Sequence, residues 1–118
     1  MSFKLFENED DYGPIEYKRH ILLSTSYKIH HHISQIKYRM GEGNGTAYYL
    51  LGINDDGSIA DITLDILNLS LLNLKKLCYA LNYDIKNILS TTFLNKKFYI
   101  VKIFSNLDIY SDLSYFIT

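Results

Sequence analysis

Cysteine is all but missing: Cys78 stands alone among 118 residues. One thiol cannot close an internal disulfide or build a cysteine-based zinc site, and its isolation favours a reducing compartment. Also missing is an unbroken apolar run long enough to span a bilayer. The densest stretch, Ile62 to Leu81, is interrupted by Asp65, Asn68, Ser70, Asn73, Lys75 and Lys76. The N-terminus, Met-Ser-Phe-Lys-Leu-Phe-Glu-Asn-Glu-Asp, turns acidic where a signal peptide would become apolar. A cytoplasmic location without membrane contact is therefore expected. No Gly-x-x-x-x-Gly-Lys-Ser/Thr occurs, so no nucleotide cofactor and no GTPase activity are expected of this chain. The glycines of Gly41-Glu-Gly-Asn-Gly45 lack the Lys-Ser/Thr and precede a strand-like run, which argues against a phosphate cradle there.

What is present has a globular balance, with 47% apolar and 21% charged residues, and a length suited to one domain. The net charge of −1 hides an asymmetry. Glu7, Glu9, Asp10, Asp11 and Glu16 crowd the first sixteen residues against Lys4 alone, leaving a mildly basic body behind an acidic leader.

Residues 1–14 lack a period and end in Gly13-Pro14, which reads as an irregular leader before a single domain over 15–118. Ile15 to Leu23 begins with strand-like alternation, and Ser24-Thr25-Ser26 offers N-caps for a helix. In that helix Ile29, Ile33, Ile36 and Met40 repeat at helical spacing, while His30, His31, Ser34, Lys37 and Arg39 fall largely off the apolar face. Gly41 to Gly45 ends it. Thr46 to Ile53 and Ser58 to Thr63 flank Asn-Asp-Asp-Gly, a hairpin signal. Leu67, Leu71, Leu74, Leu77, Cys78 and Leu81 mark a second helix from about Ile66 to Asn82, with Cys78 a buried structural thiol on its stripe. Tyr83 to Phe93 and Lys97 to Phe104, joined at Asn95-Lys96, predict a closing pair of strands. The tail, Ser105 to Thr118, is apolar enough to pack down. The expected fold is α+β, ordered β-α-β-β-α-β-β, with a mostly antiparallel sheet and two helices against it.

Three segments taken together resemble a known module. They are Gly13-Pro-Ile-Glu-Tyr-Lys18, Ser34-Gln-Ile-Lys-Tyr-Arg-Met-Gly-Glu-Gly43 and Gly45-Thr-Ala-Tyr-Tyr-Leu-Leu-Gly-Ile-Asn-Asp-Asp-Gly57. In this order they resemble the region that precedes the GTPase in the GTP-binding-protein-1 and -2 group of elongation-factor-like GTPases, over residues 13–63. The resemblance implies a non-catalytic, RNA- or ribosome-associated module in translation, without the GTPase itself. The strand-helix-hairpin layout is also similar to the Schlafen (AlbA-2-type) domain. There, three acids hold a divalent metal, and Asp11, Glu16 and Asp55 occupy the corresponding places here, with Asp instead of Glu at the first and Asn54 at one hairpin position.

Three functional readings follow. In the first, Lys18, Arg19, Lys28, Lys37, Tyr38 and Arg39 contact RNA, since phosphate needs cations and tyrosine stacks on unpaired bases. Lys37 and Arg39 would then touch phosphate, with Gly41, Gly43 and Gly45 letting the backbone approach. The second is a Schlafen-like endoribonuclease that binds Mg²⁺ or Mn²⁺ through Asp11, Glu16 and Asp55. Its plain counterpart makes Glu16 the ion-pair partner of Lys18 or Arg39 and Asp55 a turn residue. The third is a protein–protein adaptor or virion component, docking through a sheet edge or the tail around Tyr110, Leu113, Tyr115 and Phe116. His30-His31-His32 cannot converge on one ion, because successive helical residues point about 100° apart. No resident cofactor is expected outside the nuclease reading.

Overall fold

Two threonines set where the helices begin. The computed structural model describes residues 4–105. Thr25, in extended conformation, accepts the Lys28 N–H on its hydroxyl and starts helix α1 (Ser26–Glu42). Thr63 does the same for the Ile66 N–H at the start of α2 (Leu64–Ala80), where Asp65 in the first turn complements the helix dipole. The strands are β1 (Ile15–Lys18), β2 (Thr46–Leu51), β3 (Tyr83–Phe93) and β4 (Lys96–Ser105). They form a mixed α+β sheet in the order β1-β2-β4-β3, with β1 parallel to β2 and the other pairs antiparallel.

Both helices cover one face of the sheet. Ile36 and Met40 of α1 and Leu67, Leu74, Leu77 and Cys78 of α2 pack with Ala47, Tyr49, Leu51, Tyr99, Val101 and Ile103. The opposite face carries a smaller cluster of Tyr17, Leu50, Ile53 and Phe98, packed by Leu5 and Phe6 from the N-terminal segment. Phe6 meets Phe98 edge-on at 5.7 Å between ring centres. Gly57 is confined by the same segment, since a Cβ there would lie 2.0 Å from the Phe6 carbonyl oxygen.

The expected strand at Ser58 to Thr63 does not form. It shrinks to isolated bridges of Ile59 with Ile53 and Ser58 with Lys4, and the order becomes β-α-β-α-β-β. The reason is that β2 has two edges, and β1 takes one while β4 takes the other. The turn itself is made, with Gly57 N–H donating to Asn54 and Asp56 accepting from Ser58. The first strand is also shorter than its alternating pattern, ending at Lys18. The tail residues Tyr110, Leu113, Tyr115 and Phe116 lie outside the described residues. Among the described residues no helix is long and apolar enough to cross a membrane.

Candidate functional site

Helix α1 buries two adjacent stripes. The apolar one faces the core. The second, about 40–100° further round by helical geometry, consists of His32, Gln35 and Arg39. Arg39 is only 3% exposed. Its Nε donates to Glu16 Oε1 at 3.0 Å, and its remaining nitrogens donate to the carbonyls of Asp10 at 2.8 Å, Tyr12 at 3.1 Å and Gly13 at 2.8 Å. Glu9 approaches the same guanidinium at 3.9 Å, and Lys18 Nζ lies 3.6 Å from the other oxygen of Glu16. One planar cation thus ties the end of α1, the edge strand β1 and residues 9–13 together, a role that the five donors of arginine suit.

Arg39 is therefore corrected: it is not an exposed phosphate contact, because Glu16 and the three carbonyls occupy its donors. Lys18 is half-buried against Glu16. Arg19 is exposed and donates to the Asp61 carbonyl at 3.0 Å. Tyr38 is 45% exposed, and its hydroxyl donates to the Asp11 carbonyl at 2.8 Å. Lys28 and Lys37 are exposed. Nine residues apart, they project from opposite sides of α1 rather than forming one patch.

The glycine loop spends its donors on the helix end. Gly43 N–H donates to Arg39, Asn44 to Gly41, Gly45 to Met40 and Thr46 to Gly43. Gly43 tolerates no side chain, since a Cβ would fall 1.7 Å from the Thr46 carbonyl oxygen. Gly45 sits at φ +97°, while Gly41 faces open space. A helix C-terminus carries negative partial charge and these N–H groups are spent, so a phosphate beside this loop would depend on side-chain cations rather than on its backbone.

The acids do not assemble as the Schlafen resemblance implies. Glu16 is buried in its ion pairs, while Asp11 and Asp55 are exposed. Among the described residues no three His, Cys, Asp or Glu side chains are placed to hold a metal ion. The acid that does join Glu16 is Glu9, whose N–H donates to the Asp55 carbonyl at 2.7 Å and whose carboxylate accepts the Tyr17 N–H. Burial, opposed by the Tyr17 hydrogen bond and reinforced by the Glu16 charge, pushes the Glu9 carboxyl up to about 7. His32 moves the other way, to about 4, because burial and then the nearby Lys18 disfavour its cation. The sequence placed Glu9 only among the acids of the leader and His32 only in a histidine run that cannot converge on one ion. The acid density around Glu9 was visible, but nothing local distinguished it from Asp11.

On the other sheet face lies a cleft of about 490 Å³, lined among the described residues by Asn44, Gly45, Thr46, Lys86, Lys102, Phe104 and Ser105. Lys86 and Lys102 are direct partners across β3 and β4, Tyr48 pairs with Lys102, and Thr46 pairs with Phe104. These two lysines were not singled out from the sequence, since their alignment depends on the register between strands.

Comparison with known proteins finds similarity to GTP-binding protein 2 of mouse and of human. Each is 33% identical over 79 residues, covering 67% of this chain and 13% of the relative. The chain thus spans only a small part of the relatives it matches. No family model matches, and no solved structure matches.

Proposed function

We propose that the chain is a non-catalytic RNA- or ribosome-associated binding module, related to a segment of GTP-binding protein 2. The observation that carries this reading is the 33% identity over 79 residues, joined to the absence of a P-loop from the sequence. Without the nucleotide loop, GTP hydrolysis is not expected of these residues, and recognition is the reading retained. The basic body behind the acidic leader, with Lys28 and Lys37 exposed on α1, is compatible with a polyanionic partner. The engagement of Glu16 by Arg39 favours binding over metal-dependent cleavage, because an acid held in a buried ion pair is a poor ligand for an incoming cation.

The test is incubation of the 118-residue chain with mixed tRNA and ribosomal RNA, in Mn²⁺ or in EDTA. The expected result is intact RNA retained at moderate salt, with affinity falling as salt rises. Metal-dependent fragments would overturn the non-catalytic reading. RNA neither cut nor held, together with no association with ribosomes, would overturn the binding reading and leave the protein–protein adaptor in its place.

A further inference from the structure

We propose that the cleft between the α1–β2 loop and the Lys86/Lys102 pair is a phosphodiester-binding subsite for single-stranded RNA, with Phe104 and Tyr48 beside it as base-stacking surfaces. This rests on the RNA-binding reading and assigns it a place, on the sheet face away from the helices rather than on α1.

The cleft combines three features. Its charge is of one sign among the described residues: two lysines line it, and none of its described lining residues is a carboxylate. Lys86 and Lys102 face each other directly across adjacent antiparallel strands, an arrangement that destabilises a sheet through like-charge repulsion. Among the described residues neither lysine has a carboxylate ion-pair partner. Asp84 lies one row along on this face, opposite Phe104, and is not among the described residues that line the cleft. Two ammonium groups in one groove, without a carboxylate ion-pair partner among the described residues, complement a bound anion.

The second feature is aromatic. Phe104 and Tyr48 are half-buried on this face, and the Lys102 ammonium lies 5.8 Å from the centre of the Phe104 ring. Alternation along the strands places Ile15, Tyr48, Lys102 and Lys86 in one row across the sheet, with Thr46 and Phe104 in the next. A sheet face bearing cations beside aromatic rings matches a single-stranded nucleic acid, in which backbone phosphate and splayed base are presented together. A duplex hides its base faces and offers no partner to the rings.

The third is coverage. Leu5 and Phe6 close the end of this face around Tyr17, Leu50 and Phe98 but contribute nothing to the cleft lining. The loop that ends α1 supplies Asn44 and Gly45 as one wall, so the groove is shaped by the same Gly43 approach that fixes the helix end.

The experiment is a fluorescence-anisotropy titration of the full chain with a single-stranded oligouridine and with an RNA duplex, over a series of salt concentrations. The double variant K86Q/K102Q should weaken single-strand binding about tenfold or more and reduce the salt slope by about 1.4, the loss of two phosphate contacts. F104L should weaken binding about tenfold with the salt slope unchanged. The urea midpoint of K86Q/K102Q should equal or exceed that of the wild type, because the substitution removes a repulsion. A control, K75Q/K76Q on α2, should bind as the wild type does. If the wild type binds and K86Q/K102Q binds equally, the cleft is overturned while the binding reading stands. If duplex is preferred over single strand, the stacking surfaces are overturned. If the wild type binds no RNA, the functional reading falls and the subsite falls with it.

Discussion

Replacing Arg39 with methionine should destabilise the protein by on the order of 4 kcal/mol, without any ligand being involved. The substitution keeps much of the apolar stem and removes the charged fork. Glu16, itself 4% exposed, then remains buried with only Lys18 at 3.6 Å to compensate it. Removing one partner of a buried pair costs about 3–5 kcal/mol, chiefly because the stranded charge stays desolvated. The carbonyls of Asp10, Tyr12 and Gly13 lose their donor at the same time, and these losses are not additive with the first. Measured against a total stability of about 5–15 kcal/mol for an ordinary domain, the variant should fold marginally. The assay is urea unfolding followed by far-UV circular dichroism, which suits a chain without tryptophan. R39K should fall between wild type and R39M, since one ammonium cannot reach Glu16 and three carbonyls together. E16Q/R39M should lose less than the sum of its single variants, because the stranded carboxylate is gone. Limited proteolysis should cut R39M first within residues 4–14, the segment released from α1. An R39M midpoint within about 0.5 kcal/mol of wild type would refute the reasoning, for that is the range of a surface substitution.

The pH dependence of stability should carry two opposed contributions that largely cancel between about pH 4.5 and 6.5. Glu9 titrates at about 7 in the folded chain against 4.5 ordinarily, so its contribution is complete below about 4.5 and is lost as pH rises to about 7. His32 titrates at about 4 against 6.5 ordinarily, so its contribution is complete above about 6.5 and is lost as pH falls toward 4. E9Q should remove the falling contribution, leaving a profile that climbs to about pH 6.5 and then levels. Its advantage over wild type at pH 8 should be about 1–2 kcal/mol once solvent screening is allowed for. A profile for E9Q parallel to that of wild type would remove Glu9 from the account. Gly43→Ala should cost on the order of 3 kcal/mol or more, because its Cβ would overlap the Thr46 carbonyl oxygen. Gly41→Ala, which meets nothing within 4 Å, should be neutral or slightly stabilising in the same unfolding assay.

Local chemistry made much of this fold legible. Thr25 and Thr63 announce their helices because a hydroxyl satisfies orphan N–H groups a few residues on, whatever the rest of the chain does. The pair β3 and β4 reads directly from Tyr83–Phe93, the turn beside Asn95 and the alternation after it. At the turn 54–57, Asp56 bonds the Ser58 backbone two residues on, an interaction encoded within five residues. The similarity to part of GTP-binding protein 2 extends over 79 residues at 33% identity.

Tertiary structure decided what those patterns could not contain. Ser58 to Thr63 has strand-like composition, but whether it pairs depends on β2 having an edge to spare, and distant β4 takes that edge. Arg39 and His32 flank the apolar face on a helical projection, where a polar residue can equally well meet solvent. They are buried because the stripe beside the apolar face of α1 meets Glu16 and Lys18 on a strand more than ten residues away in sequence. The Schlafen resemblance favoured Asp11 as the companion of Glu16, yet the path of the N-terminal segment over the sheet brings Glu9 there instead. The Lys86/Lys102 pair exists only through the register of β3 on β4, with its shift between Asn87 and Leu89. Periodicity and capping are properties of neighbours along the chain, whereas the fate of a charged side chain is set by whichever element is packed opposite it.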